Sequence, residues 1–212
     1  MDDDLLSLGR ARPERADAAR NREHLLAVAR RMIAEDGVDR LTMDGLAERA
    51  GLGKGTVFRR FKTRAGIFAA LITDDENALQ REVLSGPPPL GPGADPVARL
   101  IAYGRARIVF LFEHHGLARG TLERNQSLPA RANSMSGMHI RVLLAQARRE
   151  GLIEIADVGT LAVQLTAALE GPLLLYLATE EDVSRTAARR TALADSWQFL
   201  IERVFGIEPA AG

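Results

Sequence analysis

No stretch of this chain alternates β-branched with polar residues, so the period-two pattern of a half-buried strand is missing. Ala, Leu, Arg and Glu prevail, and apolar residues recur three and four apart, which predicts an all-α fold. Glycine and proline mark the breaks. A first helix is expected over about Arg20–Asp36, where Leu25, Val28, Ala29, Met32 and Ile33 share a face and Gly37 follows as a stop. Two short helices and a longer one over Arg64–Leu84 come next. Ser85-Gly86-Pro87-Pro88-Pro89-Leu90-Gly91-Pro92-Gly93 carries no helix and reads equally as a boundary or a surface loop. Asp95-Pro96, a cap followed by proline, starts a helix that reaches about His114 and stops at Gly116. Residues 117–127 read as broken. Further helices are expected over Pro129–Glu150, Val158–Leu177 and Asp182–Phe205, while residues 1–19 read as a mobile polar tail.

The balance of apolar and charged residues is that of a globular protein with a real core. The chain has no cysteine, which excludes disulfides and thiolate metal sites. Met1-Asp2-Asp3-Asp4 is acidic where a signal peptide is basic, and no apolar run is long enough to span a bilayer. The expectation is a cytoplasmic protein with no membrane partner. The formal net charge is zero, but its distribution is uneven. From Arg49 to Thr73 there is no acidic residue, and both lysines of the chain, Lys54 and Lys62, lie there with Arg49, Arg59, Arg60 and Arg64.

That basic run overlaps the most informative segment, Leu41 to Phe61. Thr42 can cap a short helix, with Leu41 and Leu46 spaced as a hydrophobic staple, although Gly45 replaces the acid or amide of a full capping box. Ala47 is small where a second helix would cross. Gly51 suits the left-handed residue of a tight turn, and Leu52 fills the corner. A second helix begins near Gly53 or Lys54. Val57 and Phe61 point inward, leaving Lys54, Thr56, Arg59 and Arg60 outward. This is a helix-turn-helix pattern, in which the second helix enters a DNA major groove. Gly53 and Gly55 let the backbone approach a duplex. Arg and Lys can read guanine or neutralise phosphate, Thr56 can donate to phosphate, and Arg64 stands at the next helix start, where anions are favoured. A solvated basic face on a helical hairpin explains the charges alone but not the cap, turn and inward pair together.

The stretch Gly53-Lys54-Gly55-Thr56-Val57-Phe58-Arg59-Arg60-Phe61-Lys62-Thr63-Arg64-Ala65-Gly66-Ile67-Phe68 resembles the tetracycline-repressor (TetR) family, and the likeness extends over about residues 22–72. The resemblance implies about nine helices: a helix-turn-helix DNA-binding domain, placed at 20–66, and a helical ligand-binding and dimerisation domain, placed at 67–212. By position, Thr42, Lys54, Gly55, Thr56, Phe58, Arg59 and Arg64 match the family's DNA-contacting sites. With Arg60 and Lys62 from the basic run, they make the expected DNA-binding set. Phe58 stands where the family usually has tyrosine, so it cannot bond phosphate through a hydroxyl. It can pack or touch a thymine methyl.

A sensor needs an apolar cavity with a few polar groups. The candidates are Tyr103, Arg107, Phe110, Leu111, His114, Met135, Met138, His139, Leu143, Gln164, Leu165, Leu169 and Tyr176. Many would serve equally as plain core. Glu113-His114-His115 with His139 lacks metal-ligand spacing, because adjacent helix residues point about 100° apart. No metal, cofactor or catalytic constellation is expected. The last two helices carry wide apolar faces. Leu161, Ala168, Pro172, Leu193, Trp197, Leu200, Ile201 and Val204 are expected at a homodimer interface, which a palindromic operator requires. The expected function is a homodimeric repressor of double-stranded DNA released by a small-molecule effector. An activator of the same fold and a helical small-molecule-binding protein with little DNA affinity are the alternatives.

Overall fold

The structure is a computed structural model. It describes residues 11–122, 135–177 and 184–207, with side chains at 17, 19–118, 135–172 and 187–207. Among them are nine α-helices, one 3₁₀ turn and no strand. The helices are α1 (Ala11–Asp36), α2 (Met43–Ala50), α3 (Lys54–Phe61), α4 (Arg64–Ser85), α5 (Pro96–Glu113), α6 (His115–Leu122), α7 (Met135–Arg149), α8 (Val158–Leu177) and α9 (Ser184–Val204), with the 3₁₀ turn at Val38–Arg40. None is long and apolar enough to cross a membrane.

Two boundaries differ from the sequence reading. First, α1 begins at Ala11 rather than Arg20. Its added turns hold Ala, Arg and Glu, all strong helix formers, and Pro13 sits in the first turn, where its missing N–H is harmless. Residues 1–10 of the expected tail lie outside the described residues. Second, α6 occupies a stretch read as broken. His114 ends α5 with bridge-region backbone (φ −96, ψ 3), and the Ala118 N–H donates back to the His114 carbonyl at 2.9 Å, so the chain turns and restarts at once. Gly116, read as a stop, is a residue of α6. The helix expected from Pro129 is described from Met135, and residues 129–134 lie outside the described residues.

The described residues form two compact units, 11–74 with 120–122, and 75–119 with 135–177 and 184–207. The division falls inside α4, not at the proline-rich segment, which is a loop of the second unit. There the Gly91 N–H donates to the Pro87 carbonyl at 2.9 Å.

In the first unit, Leu25, Leu26, Leu41, Leu46, Val57, Ile67 and Phe68 are fully buried and bring α1 to α4 onto one core. His24 of α1 bonds through Nε2 to the Ala50 carbonyl at 3.0 Å, holding the end of α2. In the second unit, α5 packs on α9 and α7, and α7 packs on α8. Leu100 and Tyr103 of α5, Ile140 and Leu144 of α7, Leu165 of α8 and Trp197 and Ile201 of α9 belong to its core. Asp95 caps α5 as expected: its Oδ1 accepts from the Val97 and Ala98 N–H groups, both at 2.9 Å.

Candidate nucleic-acid interface and ligand pocket

Thr42 caps α2, its Oγ1 accepting from the Gly45 N–H at 3.0 Å. A Cβ at Gly45 would lie 2.9 Å from that hydroxyl and 3.4 Å from Met32, which explains the missing capping-box side chain. Gly51 ends α2 in the left-handed conformation (φ 65, ψ 28). The Leu52 N–H reaches back to the Ala47 carbonyl at 3.0 Å, a helix-ending bond that fixes the turn. Gly53 then caps α3 with extended backbone and no side-chain bond; the Thr56 N–H donates back to the Gly53 carbonyl at 2.9 Å, while the Lys54 and Gly55 N–H groups stay open.

The expected facing of α3 holds. Val57 and Phe61 are buried, and Lys54, Gly55, Phe58, Arg59 and Arg60 are exposed, with Thr56 half-buried. Phe58 is 47% exposed, so it presents an aromatic face to solvent instead of packing. Lys54 meets Asp44 at 2.9 Å with both side chains exposed, a pair worth at most about 1 kcal/mol that a phosphate could displace. Nothing lies within 4 Å of a Cβ built at Gly53 or Gly55. The folded chain therefore gives no reason for glycine at either place, whereas close approach by an external partner does.

Among the expected DNA contacts, Arg64 is bonded within its own chain. Arg64 donates from Nε to the Leu41 carbonyl at 2.8 Å and from Nη2 to the Val38 carbonyl at 2.7 Å, and its guanidinium lies 4.8 Å over the Phe68 ring. It ties α4 to the strand-like link before α2, so its donors are committed to backbone rather than pointed at phosphate. Arg49 of the basic run binds Glu35 at 2.6 Å and Asp36 at 2.7 Å. Lys62, which is exposed, has φ 62 and ψ −41, and the Thr63 N–H donates across it to the Phe61 carbonyl at 2.7 Å. This is a γ-turn of the strained, positive-φ kind. Nothing in the residue types marks it, because lysine is not a turn residue.

In the second unit, α4, α5 and α7 enclose a pocket of about 280 Å³. Of the expected ligand residues, Tyr103, Arg107, Met135, Met138 and His139 line it, joined by Glu76, Leu79, Val83 and Arg99. Behind two of its lining residues, Tyr103 and Arg107, runs a chain of hydrogen bonds. The Tyr103 hydroxyl donates to Ser136 Oγ at 2.7 Å, and Ser136 donates to Glu170 Oε1 at 2.6 Å. Arg107 reaches the same oxygen at 3.2 Å and Glu76 at 3.4 Å. Burial raises the Tyr103 phenol above its ordinary range, which keeps it a donor. Burial, helped by the Arg99 charge, lowers His139 to about 4, so its ring is neutral near pH 7. Ser136 and Glu170 escaped the sequence reading. Glu170 had a signal, being the lone charged residue of α8. Ser136 had none.

The other expected ligand residues lie elsewhere. Leu143 is fully buried and Leu165 is 3% exposed, both in the core because α7 and α8 pack there. Gln164 is exposed on the outer face of α8. Phe110 stacks on the His114 ring at 4.2 Å, while His114 bonds Asp75 at 2.8 Å. Leu111 and Leu169 line a second depression of about 210 Å³, shared with Ala168, Pro172, Leu193, Trp197 and Leu200. The Tyr176 side chain lies outside the described residues. Two expected interface residues are corrected. Trp197 is 3% exposed and Ile201 fully buried, inside the core of one chain, so neither faces a second subunit. Leu161, Leu193 and Leu200 pack partly against that core, and Val204 is half-buried. Among the described residues, the large apolar side chains these helices expose are instead Val163 and Phe199.

A sequence profile described as "Bacterial regulatory proteins, tetR family" matches residues 25–71. An HTH-type transcriptional regulator of Staphylococcus aureus (strain bovine RF122 / ET3-1) is 33% identical over 63 residues, which are 30% of this chain and 34% of the relative. The chain spans about a third of the length of the curated relatives it matches. A solved TetR-family transcriptional regulator from Pectobacterium atrosepticum is similar at a TM-score of 0.70 and 21% identity, over 92% of this chain and 98% of that one. AibR, solved in complex with isovaleryl coenzyme A and operator DNA, has a TM-score of 0.52 at 17% identity, over 89% and 100%. At these identities the solved structures show a common fold.

Proposed function

We propose that this chain, which carries the helix-turn-helix DNA-binding domain of the tetR family of bacterial regulatory proteins over residues 25–71, is a homodimeric transcriptional repressor that leaves a palindromic operator when a small molecule fills the pocket. The observation that carries the reading is α3. It has a buried apolar edge, an exposed edge of Lys54, Gly55, Phe58 and Arg59, and an open N-terminus. Each α3 enters the major groove of one half-site, and a two-fold dimer sets two such helices roughly 34 Å apart. Arg59 reads a base, Phe58 touches a thymine methyl, and Lys54, Thr56 and Lys62 hold phosphate. Arg64 acts at one remove by holding the start of α2.

The three acids in the middle of α4 suit the coupling of ligand to DNA. Asp74 binds Arg30 at 2.8 Å and Arg22 at 3.4 Å on α1, and these arginines hold its carboxyl below the usual range. Asp75 binds His114, and Glu76 binds the pocket residue Arg107. A ligand that re-aims Arg107 thus acts at Glu76, two residues beyond the α1 anchor Asp74. By linkage, DNA and ligand then weaken each other's binding. AibR, solved with operator DNA and isovaleryl coenzyme A, supports a regulator of this fold with two such partners. The dimer forms through α8 and α9, with Val163, Ala168 and Phe199 at the contact. The protein works in the cytoplasm, where the DNA is.

Fluorescence anisotropy on DNA upstream of the protein's own gene tests the reading. Tight binding to a palindrome there is expected, with a steep salt dependence. Absence of binding to any such site at modest salt would sink it.

Substitutions sort the roles. Gly55→Ala should leave the melting temperature unchanged or raise it, because alanine favours a helix by up to about 1 kcal/mol over glycine. The same change should weaken operator binding at least tenfold. Unchanged affinity would show that the open face of α3 does not meet DNA closely. Arg59→Ala should alter base preference and leave melting alone. Arg64→Ala should instead lower stability by about 2 kcal/mol, since it removes charged donors from two carbonyls, and weaken all sequences alike. If Arg64→Ala melts like the parent and only lowers the salt slope, Arg64 is a phosphate ligand after all.

A further inference from the structure

Three buried nitrogen atoms in the second unit have no hydrogen-bond partner: Arg99 Nε, Arg107 Nε and His139 Nε2. All three belong to residues that line the one pocket. Left unpaired, each such group costs about 1–3 kcal/mol, so an orphan trio in one cavity calls for a bound partner. The chemistry of that partner is constrained. Arginine Nε only donates, and a neutral imidazole can present a donor at Nε2. The carboxylates nearby do not fill the gap, because Glu76 and Glu170 are already engaged by Arg107 and Ser136. Arg107 is thus matched by two acids. Arg99 is not: its only described bond is a long one, 3.4 Å, to the Val83 carbonyl. The pocket therefore has donors to spare and one uncompensated positive charge.

The rest of the lining is apolar. Leu79, Val83, Met138 and Val142 offer aliphatic surface, and two methionines adapt to varied shapes. The volume, about 280 Å³, equals the liquid share of roughly nine waters, which suits a body of about ten non-hydrogen atoms.

We propose that the effector is a small monocarboxylate with an apolar body, its carboxylate held by Arg99 and His139 and its body lying against Leu79, Val83 and Met138. This rests on the reading of the pocket as the effector site and adds the class of molecule. Arg99 supplies charge and a donor. His139, tilted against Tyr103 at 4.6 Å between ring centroids, supplies a neutral donor from a fixed ring. An amine would meet Arg99 with like charge and leave all three nitrogens unpaired. An alcohol offers a single acceptor and no charge.

Calorimetric titration of the full chain with octanoate, 1-octanol and octylamine tests the class, since the three share a tail and differ in head. Phenylacetate and 2-phenylethanol repeat the comparison on an aromatic body. Each acid should bind at least tenfold tighter than its alcohol, and octylamine should be weakest. Arg99→Gln should erase the preference, dropping octanoate at least tenfold and leaving 1-octanol within about twofold. His139→Phe, which keeps a ring against Tyr103, should weaken the acid severalfold and spare the alcohol, so that a failure of one variant to fold does not decide the matter. Trp197 emission and the melting curve check folding in each case. Acids binding no better than alcohols, or a preference that survives Arg99→Gln, would overturn the carboxylate and leave the pocket as an effector site. Binding by none of the five probes would overturn both.

Discussion

Gly66→Ala should abolish the operator binding proposed above and destabilise the first unit by about 3 kcal/mol, which for a unit of this size lowers its midpoint by roughly ten degrees or more. The cause is a contact between backbones. A Cβ at Gly66 would stand 2.0 Å from the Phe61 carbonyl oxygen and 3.1 Å from its carbon. That oxygen cannot move aside, because it is held in the γ-turn at Lys62, accepting from the Thr63 N–H at 2.7 Å. Nor can Gly66 retreat. Its own N–H donates to the Thr63 hydroxyl at 3.0 Å, and the next two residues, Ile67 and Phe68, are fully buried. Room for a methyl group is made only by swinging α3 away from α4, and α3 is the helix that must fit the groove. Gly53→Ala is the matched control for melting, since open space surrounds its Cβ position. Circular dichroism and anisotropy on the two variants give the result. Parent-like melting and binding for Gly66→Ala would mean that the turn at Lys62 is looser than it stands.

Gly66 also shows what a sequence conceals. It lies in the stretch that resembles the TetR family, yet nothing in composition or periodicity separates it from Gly55, eleven residues earlier. One glycine is required by a backbone oxygen of its own chain, and the other has no neighbour at all. Residues whose role comes from period or local backbone were legible. Val57 and Phe61 point inward because they are four apart, Gly51 is left-handed because a tight turn demands it, and Asp95 caps because proline follows. Residues whose role comes from long-range contact were not. Arg64 looked like a phosphate ligand because its charge is visible in sequence and the carbonyls of Val38 and Leu41 are not. Gly116 looked like a stop because glycine ends many helices, while here the break falls at His114. In the pocket, Tyr103, Arg107 and His139 stood out as polar groups on apolar helices. Arg99 did not, since an arginine one turn into a helix reads as solvated. For the same reason, width of apolar face could not tell Trp197, which fills the core, from Phe199, which faces out.

Gly104→Ala should be the most damaging change in the second unit, and the only tryptophan of the chain reports it. A Cβ at Gly104 would lie 1.9 Å from Trp197 Nε1 and 2.1 Å from Cε2. The indole lies in the space glycine leaves on α5 and donates from Nε1 to the Leu100 carbonyl at 3.0 Å, one turn earlier on the same helix. A methyl group expels the ring, breaks that bond and separates α5 from α9, at a cost of about 3 kcal/mol or more. The emission of Trp197 should shift to the red as the ring meets water. The pocket should suffer too, because Tyr103 and Arg107 flank Gly104 on α5, so ligand response is lost before folding is. The double variant Gly104→Ala with Trp197→Leu is a sharper test. The smaller side chain leaves room for the methyl group, so the pair should be less destabilised than the two single losses added together, by about 1–3 kcal/mol. Simple additivity would show that the glycine is not there for the indole, and that α5 and α9 are held together by something other than this contact.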